Sequence, residues 1–256
     1  MAPHEPANPF QSEREPVPGA DSSPPLPAGH RKAAVLFDVD GTLVDSTYLH
    51  TLGFWQAFRQ AGYDIPMAAI HRSVGMSGDK ILAHLLPAGR DRSGDEAIEA
   101  SHAAVFATFW PALRPLKGAK ELLAQCFESG LAVALASSAK EQDLKVLRST
   151  LQADAYIHAA TSSKDAAQGK PEPDILVAAL EAVRVEAGDA VYVGDSVWDI
   201  YAAAKLKIPA IGLSCGGTSE AELREAGAVE VYESPQALLD QLKDSAIGRL
   251  AARARS

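Results

Sequence analysis

Apolar and polar positions divide the chain into stretches of different periodicity. Residues 33–37 form a short, continuous apolar run, which is typical of a strand covered on both faces of a parallel sheet. Between about residues 48 and 115, apolar side chains recur at helical spacing, as at Leu49, Leu52 and Trp55. From Leu116 onward, short apolar runs alternate with helical patterns. The pattern therefore predicts one strand, a helical segment and then alternating strands and helices.

The alternating part predicts the fold class. Strands are expected at residues 132–136, 155–159, 190–193 and 209–213 and near Val229, with helices at 141–151, 173–183, 199–206 and 219–226. This alternation implies an α/β fold with a doubly wound, Rossmann-like parallel sheet. Residues 31–47 and 116–245 would form this core domain. Residues 48–115 would then be an all-helical cap domain inserted after the first strand.

The two ends of the chain are predicted to lie outside these domains. Residues 1–30 hold eight of the 16 prolines and a single aromatic, Phe10, so a disordered proline-rich tail is expected. Residues 246–256 carry three arginines and are expected to be a basic tail, either a solvated helix face or a frayed end. The first thirty residues have neither the apolar run of a signal peptide nor an arginine-rich amphipathic pattern, which favours a cytoplasmic protein.

Composition narrows the classes of partner. The chain has 256 residues, 47% of them hydrophobic, and a net charge of -9, which gives no general attraction for nucleic acid or an anionic membrane. No stretch approaches eighteen apolar residues, so no membrane span is predicted. Cys126 and Cys215 have no metal-binding spacing and are expected to be reduced thiols. Monomer and homodimer both remain open.

The first strand ends in two carboxylates, Asp38 and Asp40, followed by Gly41 and Thr42. Open α/β sheets bind ligands beyond the carboxyl ends of their strands. Two neighbouring carboxylates repel each other unless a cation such as Mg2+ lies between them or one is protonated. The pair therefore indicates a metal site, acid/base chemistry or both, with an ordinary turn as the alternative. An EF-hand loop is excluded because its twelfth position would be Leu49.

Three later strand ends also carry polar groups. Residues 137–140 offer hydroxyls, amides and a lysine where an anion could bind, although a helix-capping serine is the alternative. Lys170 directly precedes a proline-started helix and could equally be an exposed lysine. Asp195 and Asp199 lie four residues apart across a strand-to-helix turn. They could face one cation, or Asp199 could cap the helix.

In their order along the chain, these four elements resemble the four motifs of the haloacid dehalogenase superfamily, over residues 33 to about 230. The resemblance implies that Asp38 is a nucleophile that forms an aspartyl-phosphate. It implies that Asp40 is the general acid and base, with a raised pKa. Ser137 and Lys170 would hold the phosphoryl group. The implied Mg2+ ligands are Asp38, Asp40 through its backbone carbonyl, Asp195 and Asp199.

Asp40 narrows the resemblance within the superfamily. Dehalogenating relatives have an aromatic residue at that position, and phosphonate-cleaving relatives lack the second aspartate. Asp45, Ser46 and His50 resemble the subgroup of phosphoglycolate phosphatases and β-phosphoglucomutases. The resemblance thus implies a Mg2+-dependent phosphatase of small phosphorylated metabolites, of the sugar phosphate or phosphoglycolate type. The substrate-binding candidates are Thr42, His50, Ser138 and Lys140, with Arg72 and Lys80 from the cap loop at residues 70–80.

Two alternative functions remain. Residues 137–140 also resemble a β-phosphoglucomutase, but Gly78 stands where mutases have a phosphate-gripping arginine, and Gly194 stands where they have a glutamate. A non-catalytic binding protein with the same fold is disfavoured because every motif residue is present. The metabolite itself is left undetermined, since substrate choice in such scaffolds depends on the cap.

Overall fold

The computed structural model describes residues 33–255, so the tail predicted at residues 1–30 lies outside the described residues. The strands are β1 (Ala34–Phe37), β2 (Ala132–Ala136), β3 (Ala159–Thr161), β4 (Ala190–Gly194), β5 (Ala210–Leu213) and β6 (Glu230–Tyr232). The α-helices are α1 (Thr47–Gln60), α2 (Met67–Ser73), α3 (Gly78–Leu85), α4 (Asp95–Ala107), α5 (Ala119–Glu128), α6 (Glu141–Leu151), α7 (Asp174–Val183), α8 (Val197–Lys205), α9 (Glu220–Ala226), α10 (Pro235–Asp240) and α11 (Ala246–Arg255). Single 3-10 turns lie at Trp110–Ala112, Asp154–Tyr156, Ser163–Asp165, Ala187–Asp189, Ser214–Gly216 and Leu242–Asp244.

The strands form one parallel sheet in the order β3-β2-β1-β4-β5-β6. β1 lies in the middle, with Val35 opposite Val133 of β2 and Val191 of β4. The predicted doubly wound α/β class is confirmed. Because β1 is central, the residues after its carboxyl end are flanked by those that follow β2 and β4, and this brings the sequence motifs to one edge.

Helices cover both faces of the sheet because alternate residues of each strand point to opposite sides. Val35 and Phe37 face a core layer built with α5, α6, α10 and α11. Ala34 and Leu36 face a second layer built with α7, α8 and α9. Both faces of β1 are therefore buried, as its unbroken apolar sequence predicts.

Between β1 and β2 the described chain contains helices and turns only. Helices α1 to α4 pack around an apolar cluster that includes Phe54, Phe58, Ile70 and Leu82. Trp198, on α8, packs against this cluster and so joins the helical segment to the sheet domain. Within the described part of the chain, none of the helices has the length and apolar character that crossing a membrane requires.

Two of the predicted elements differ from those in the structure. Strand β3 begins at Ala159, where its pairing with Ala134 of β2 starts, and residues 154–156 form a 3-10 turn instead of a strand. The alanine-rich sequence there offers no marker of strand register. The tail predicted at 246–256 is also wrong. Residues 246–255 form α11, which buries Ile247 and Leu250 in the main core while Arg253 stays exposed.

Candidate active site

Asp38 lies directly after β1, at the centre of the sheet edge. Its carboxylate is 4% exposed, and Lys170 Nζ lies 2.6 Å from Asp38 Oδ1. Burial raises the pKa of Asp38 to about 7, with the charges of Asp199 and Asp40 adding to the rise and Lys170 opposing it. Asp38 is thus a buried carboxylate held in place by one ammonium group.

Lys170 is fully buried between two aspartates. Its Nζ lies 2.7 Å from Asp199 Oδ1, in addition to its contact with Asp38. Burial acts to lower the pKa of Lys170, but the charges of Asp199 and Asp38 outweigh it and raise the pKa above its ordinary value. Tyr192 Oη donates to Asp199 over 2.7 Å, and the Ser196 hydroxyl donates over 2.6 Å. This network fixes the lysine and explains why its charge is retained.

The acidic cluster fits a divalent cation. Asp38, Asp195 and Asp199 each place one carboxylate oxygen within 4.8 Å of the others. Burial, together with the charges of Asp199 and Asp38, raises the pKa of Asp195 well above its ordinary value. Three buried carboxylates against one ammonium leave an excess of negative charge, which Mg2+ would neutralise through the oxygen ligands it prefers.

The carboxylates are not equally available to a cation. Both oxygens of Asp199 accept hydrogen bonds from protein groups, Oδ1 from Tyr192 and Oδ2 from Ser196. Asp195 Oδ1 accepts from the Thr42 hydroxyl over 2.9 Å. A Cβ atom on Gly216 would lie 1.7 Å from Asp195 Oδ2, so a side chain at residue 216 would clash with that oxygen. Asp38 and Asp195 are therefore the better direct ligands, and Asp199 is suited to positioning Lys170.

Asp40 turns away from this cluster and towards the cap. Its Oδ1 accepts from the Ser46 hydroxyl over 2.5 Å and lies 3.0 Å from His50 Nε2. Burial acts to raise the pKa of Asp40, but the charge and hydrogen bond of His50 and the hydrogen bond of Ser46 lower it below its ordinary value. The raised pKa expected from the sequence is therefore wrong for this arrangement, in which Asp40 is ionised.

His102 extends this contact and was not a sequence candidate. Its Nε2 lies 3.2 Å from His50 Nδ1, and its ring stacks on Phe54 at 3.8 Å. Burial, with the charges of His50 and Lys140, lowers the pKa of His102 well below its ordinary value, so the ring is neutral. The sequence signal was its helical spacing from Ile98 and Phe106, four residues to each side, which places all three on one face of α4.

A cavity of about 280 Å³ opens between the sheet edge and the helical segment. From the sheet side it is lined by Asp38, Asp40, Ser138 and Lys140, and from the helical side by His50 and part of the cap loop. Besides Asp38, this cavity is therefore lined by four of the predicted catalytic and substrate-binding residues: Asp40, His50, Ser138 and Lys140. Glu99 and Asp143 also line it and carried no recognised sequence signal.

Other predicted residues lie elsewhere. Ser137 is fully buried beside this cavity, and its hydroxyl accepts from the Ala139 amide over 3.0 Å. Thr42 is also fully buried and bonds to Asp195, so it supports the acidic cluster and does not line the cavity.

Arg72 is largely exposed and pairs with Glu222 at 3.7 Å. Lys80 points to Gln168 at 3.4 Å. Neither cap-loop cation reaches the cavity lining.

The parallel sheet brings an acidic cluster and a buried lysine together below a helical cap. This arrangement defines a class of hydrolytic enzyme, and comparison with known proteins identifies the family within that class. The family model for haloacid dehalogenase-like hydrolases matches residues 35–213. The chain belongs to this family, which confirms the resemblance found in the sequence.

Relatives and solved structures agree with this assignment. The chain is 30% identical to a phosphoglycolate phosphatase of Rhodospirillum rubrum, over 82% of this chain and 90% of that protein. It is similar to the crystal structure of a hydrolase from Pseudomonas syringae, with a TM-score of 0.79, 30% identity and coverage of 83% and 99%. A β-phosphoglucomutase of Clostridium difficile shares the fold, with a TM-score of 0.72, 18% identity and coverage of 86% and 97%.

Proposed function

We propose that this chain is a Mg2+-dependent phosphatase of small phosphorylated metabolites that acts through an aspartyl-phosphate on Asp38. The observation that carries the proposal is the buried Asp38–Lys170 pair, 2.6 Å apart. Asp38 lines the cavity between the sheet edge and the helical segment, and it shares an acidic cluster with Asp195. The phosphatase names of relatives at similar length support it. The substrate would be a phosphomonoester of the sugar phosphate or phosphoglycolate type.

The first step would form a bond between Asp38 and phosphorus. The carboxylate oxygen attacks in line, the bond from phosphorus to the ester oxygen breaks, and the alcohol leaves. Lys170, already bonded to Asp38, aligns the nucleophile and pairs with the phosphoryl oxygens. Mg2+ held by Asp38 and Asp195 would neutralise the charge on those oxygens.

Asp40 would transfer the protons in both steps of the reaction. In the ionised state held by His50 and Ser46, it is ready to accept a proton from the water that hydrolyses the aspartyl-phosphate. To act as an acid for the departing alcohol, it must first take up a proton when substrate binds. Entry of the dianionic phosphoryl group beside Asp40 would raise its pKa and favour that uptake.

The test is phosphate release from a panel of phosphorylated metabolites, with and without Mg2+. We expect Mg2+-dependent release by the wild type and a loss of at least roughly a thousandfold in Asp38→Asn, because the amide is not nucleophilic. Asp64→Asn, which changes an exposed carboxylate of the helical segment, is the matched control and should retain full activity. Full activity in Asp38→Asn would refute the role of Asp38 as the nucleophile. Phosphoryl transfer between sugar hydroxyls that needs a bisphosphate activator would instead favour the mutase function.

A further inference from the structure

The half of the cavity that would receive the leaving alcohol is acidic. Beyond Asp38 and Asp40, the lining includes the carboxylates of Asp79, Glu99 and Asp143 and a single lysine, Lys140. Lys140 is itself paired, since its Nζ lies 3.2 Å from Glu99 Oε2. The predicted cations Arg72 and Lys80 are not among the lining residues. A second anionic group on the substrate would therefore meet carboxylates, with no unpaired lysine or arginine among the described residues of the lining.

Glu99 lies close to the cap loop at Gly78. A Cβ atom on Gly78 would lie 3.1 Å from Glu99 Cδ and 3.3 Å from Oε2, closer than ordinary packing allows. The absence of a side chain at residue 78 thus leaves room for the Glu99 carboxylate. The Glu99 carboxylate therefore lies beside residue 78, the position at which a mutase has an arginine that attracts an anion.

From this arrangement we infer that Glu99 is a specificity-determining residue that selects phosphomonoesters of neutral polyols and sugars over those whose leaving group carries a carboxylate. The inference rests on the proposed phosphatase function and, of the two substrate types named there, selects sugar phosphates over phosphoglycolate. Glu99 and Lys140 together offer an acceptor and a donor, which suits the hydroxyls of a polyol. A carboxylate would be repelled by Glu99 in a partly enclosed site, where charges interact more strongly than in water.

The discriminating experiment uses substrate pairs in which a hydroxymethyl group of the leaving alcohol is replaced by a carboxylate. Glycerol 3-phosphate is compared with 3-phosphoglycerate, and sorbitol 6-phosphate with 6-phosphogluconate, by kcat/KM with Mg2+ present. Wild type should prefer the neutral member of at least one pair by roughly tenfold or more. Glu99→Gln, which keeps size and removes charge, should lower that preference at least fivefold by improving the carboxylate substrate.

Controls separate the possible failures. Glu96→Gln changes an exposed glutamate one turn earlier on α4 and should leave the preference unchanged. p-Nitrophenyl phosphate reports phosphatase activity as such, and a melting temperature checks that Glu99→Gln is folded. No release from p-nitrophenyl phosphate by wild type would refute the proposed function. If wild type releases phosphate from p-nitrophenyl phosphate, three outcomes would refute the specificity inference alone. They are a preference for the carboxylate esters, no cleavage of either neutral ester, and a ratio of kcat/KM values that is unchanged in Glu99→Gln.

Discussion

Charge balance at three aspartates governs the centre of the site. Asp38, Asp195 and Asp199 are each at most 4% exposed, and Lys170 is the cation bonded to two of them. Removing ions from water is costly unless they are paired, so such a cluster is stable only if protons or a cation compensate for the excess charge. Protonation and Mg2+ therefore compete for the same carboxylates.

This competition makes stability depend on pH in a defined direction. The pKa of Asp38 is about 7 in the folded chain, against 3.8 for an ordinary aspartate, and that of Asp195 is also raised. A raised carboxyl pKa contributes stability that is complete below about pH 4 and is lost as the pH rises through about 7. In a chelator, we expect the melting temperature to fall between pH 5 and pH 8, by roughly 4–8 °C for a loss of about 2 kcal/mol.

Mg2+ should reverse this trend, because it binds the ionised carboxylates. The rise in melting temperature on adding Mg2+ should be larger at pH 8 than at pH 5. The double variant Asp38→Asn with Asp195→Asn is the control, and it should show little response to pH or to Mg2+. An equal stabilisation by Mg2+ at both pH values would contradict this account of the charge balance.

Single residues differed in how well the sequence could place them. Asp38, Lys170 and Asp195 were identifiable because each follows a strand or starts a helix at the edge where a parallel sheet collects its strand ends. Glu99 and His102 were not, because they lie on α4, whose packing over the sheet depends on contacts distant in sequence. The lowered pKa of Asp40 likewise required the observed His50 contact.

Helix α11 shows how an element can be missed. It carries three arginines and no acidic residue, yet Ile247, Leu250 and Ala254 recur at helical spacing and are buried. Weighing charge above periodicity led to the prediction of a solvated helix face or a frayed tail, and the buried apolar face was missed. By contrast, β1 and β4 were placed nearly correctly because an unbroken apolar run followed by an acid or glycine has few other interpretations.

The burial of α11 leads to a stability prediction. Leu250 is 2% exposed in the main core, so Leu250→Ala should lower the free energy of unfolding by roughly 2–4 kcal/mol. Arg253→Ala, on the exposed side of the same helix, should change it by less than about 0.5 kcal/mol. Chemical denaturation of both variants measures the difference. Equal, small effects would mean that α11 does not pack on the core in solution.

At the scale of the whole molecule, the helical segment is joined to the sheet domain on two sides of the site. On one side, Lys140 pairs with Glu99, and the Ser138 hydroxyl donates to the Gly75 carbonyl over 3.3 Å. On the other, Trp198 Nε1 donates to the Arg72 carbonyl over 2.8 Å. These contacts hold the helical segment over the cavity that Asp38 lines, and we expect substrate binding to depend on how stably they form.

A substitution at Trp198 tests how much these contacts contribute to substrate binding. Trp198→Phe keeps an aromatic ring against the helical segment but removes the indole N–H, whose hydrogen bond is worth about 0.5–1.5 kcal/mol. The closed form should then become less populated, and the KM should rise by roughly two- to tenfold with a smaller change in kcat. Tyr201→Phe, which removes an exposed hydroxyl from the same helix, is the matched control. Trp198 does not line the cavity over Asp38, so Trp198→Phe does not alter the lining itself. An unchanged KM in this variant would mean that this side of the junction stays in contact without the hydrogen bond. Substrate entry would then be controlled at the Lys140–Glu99 side.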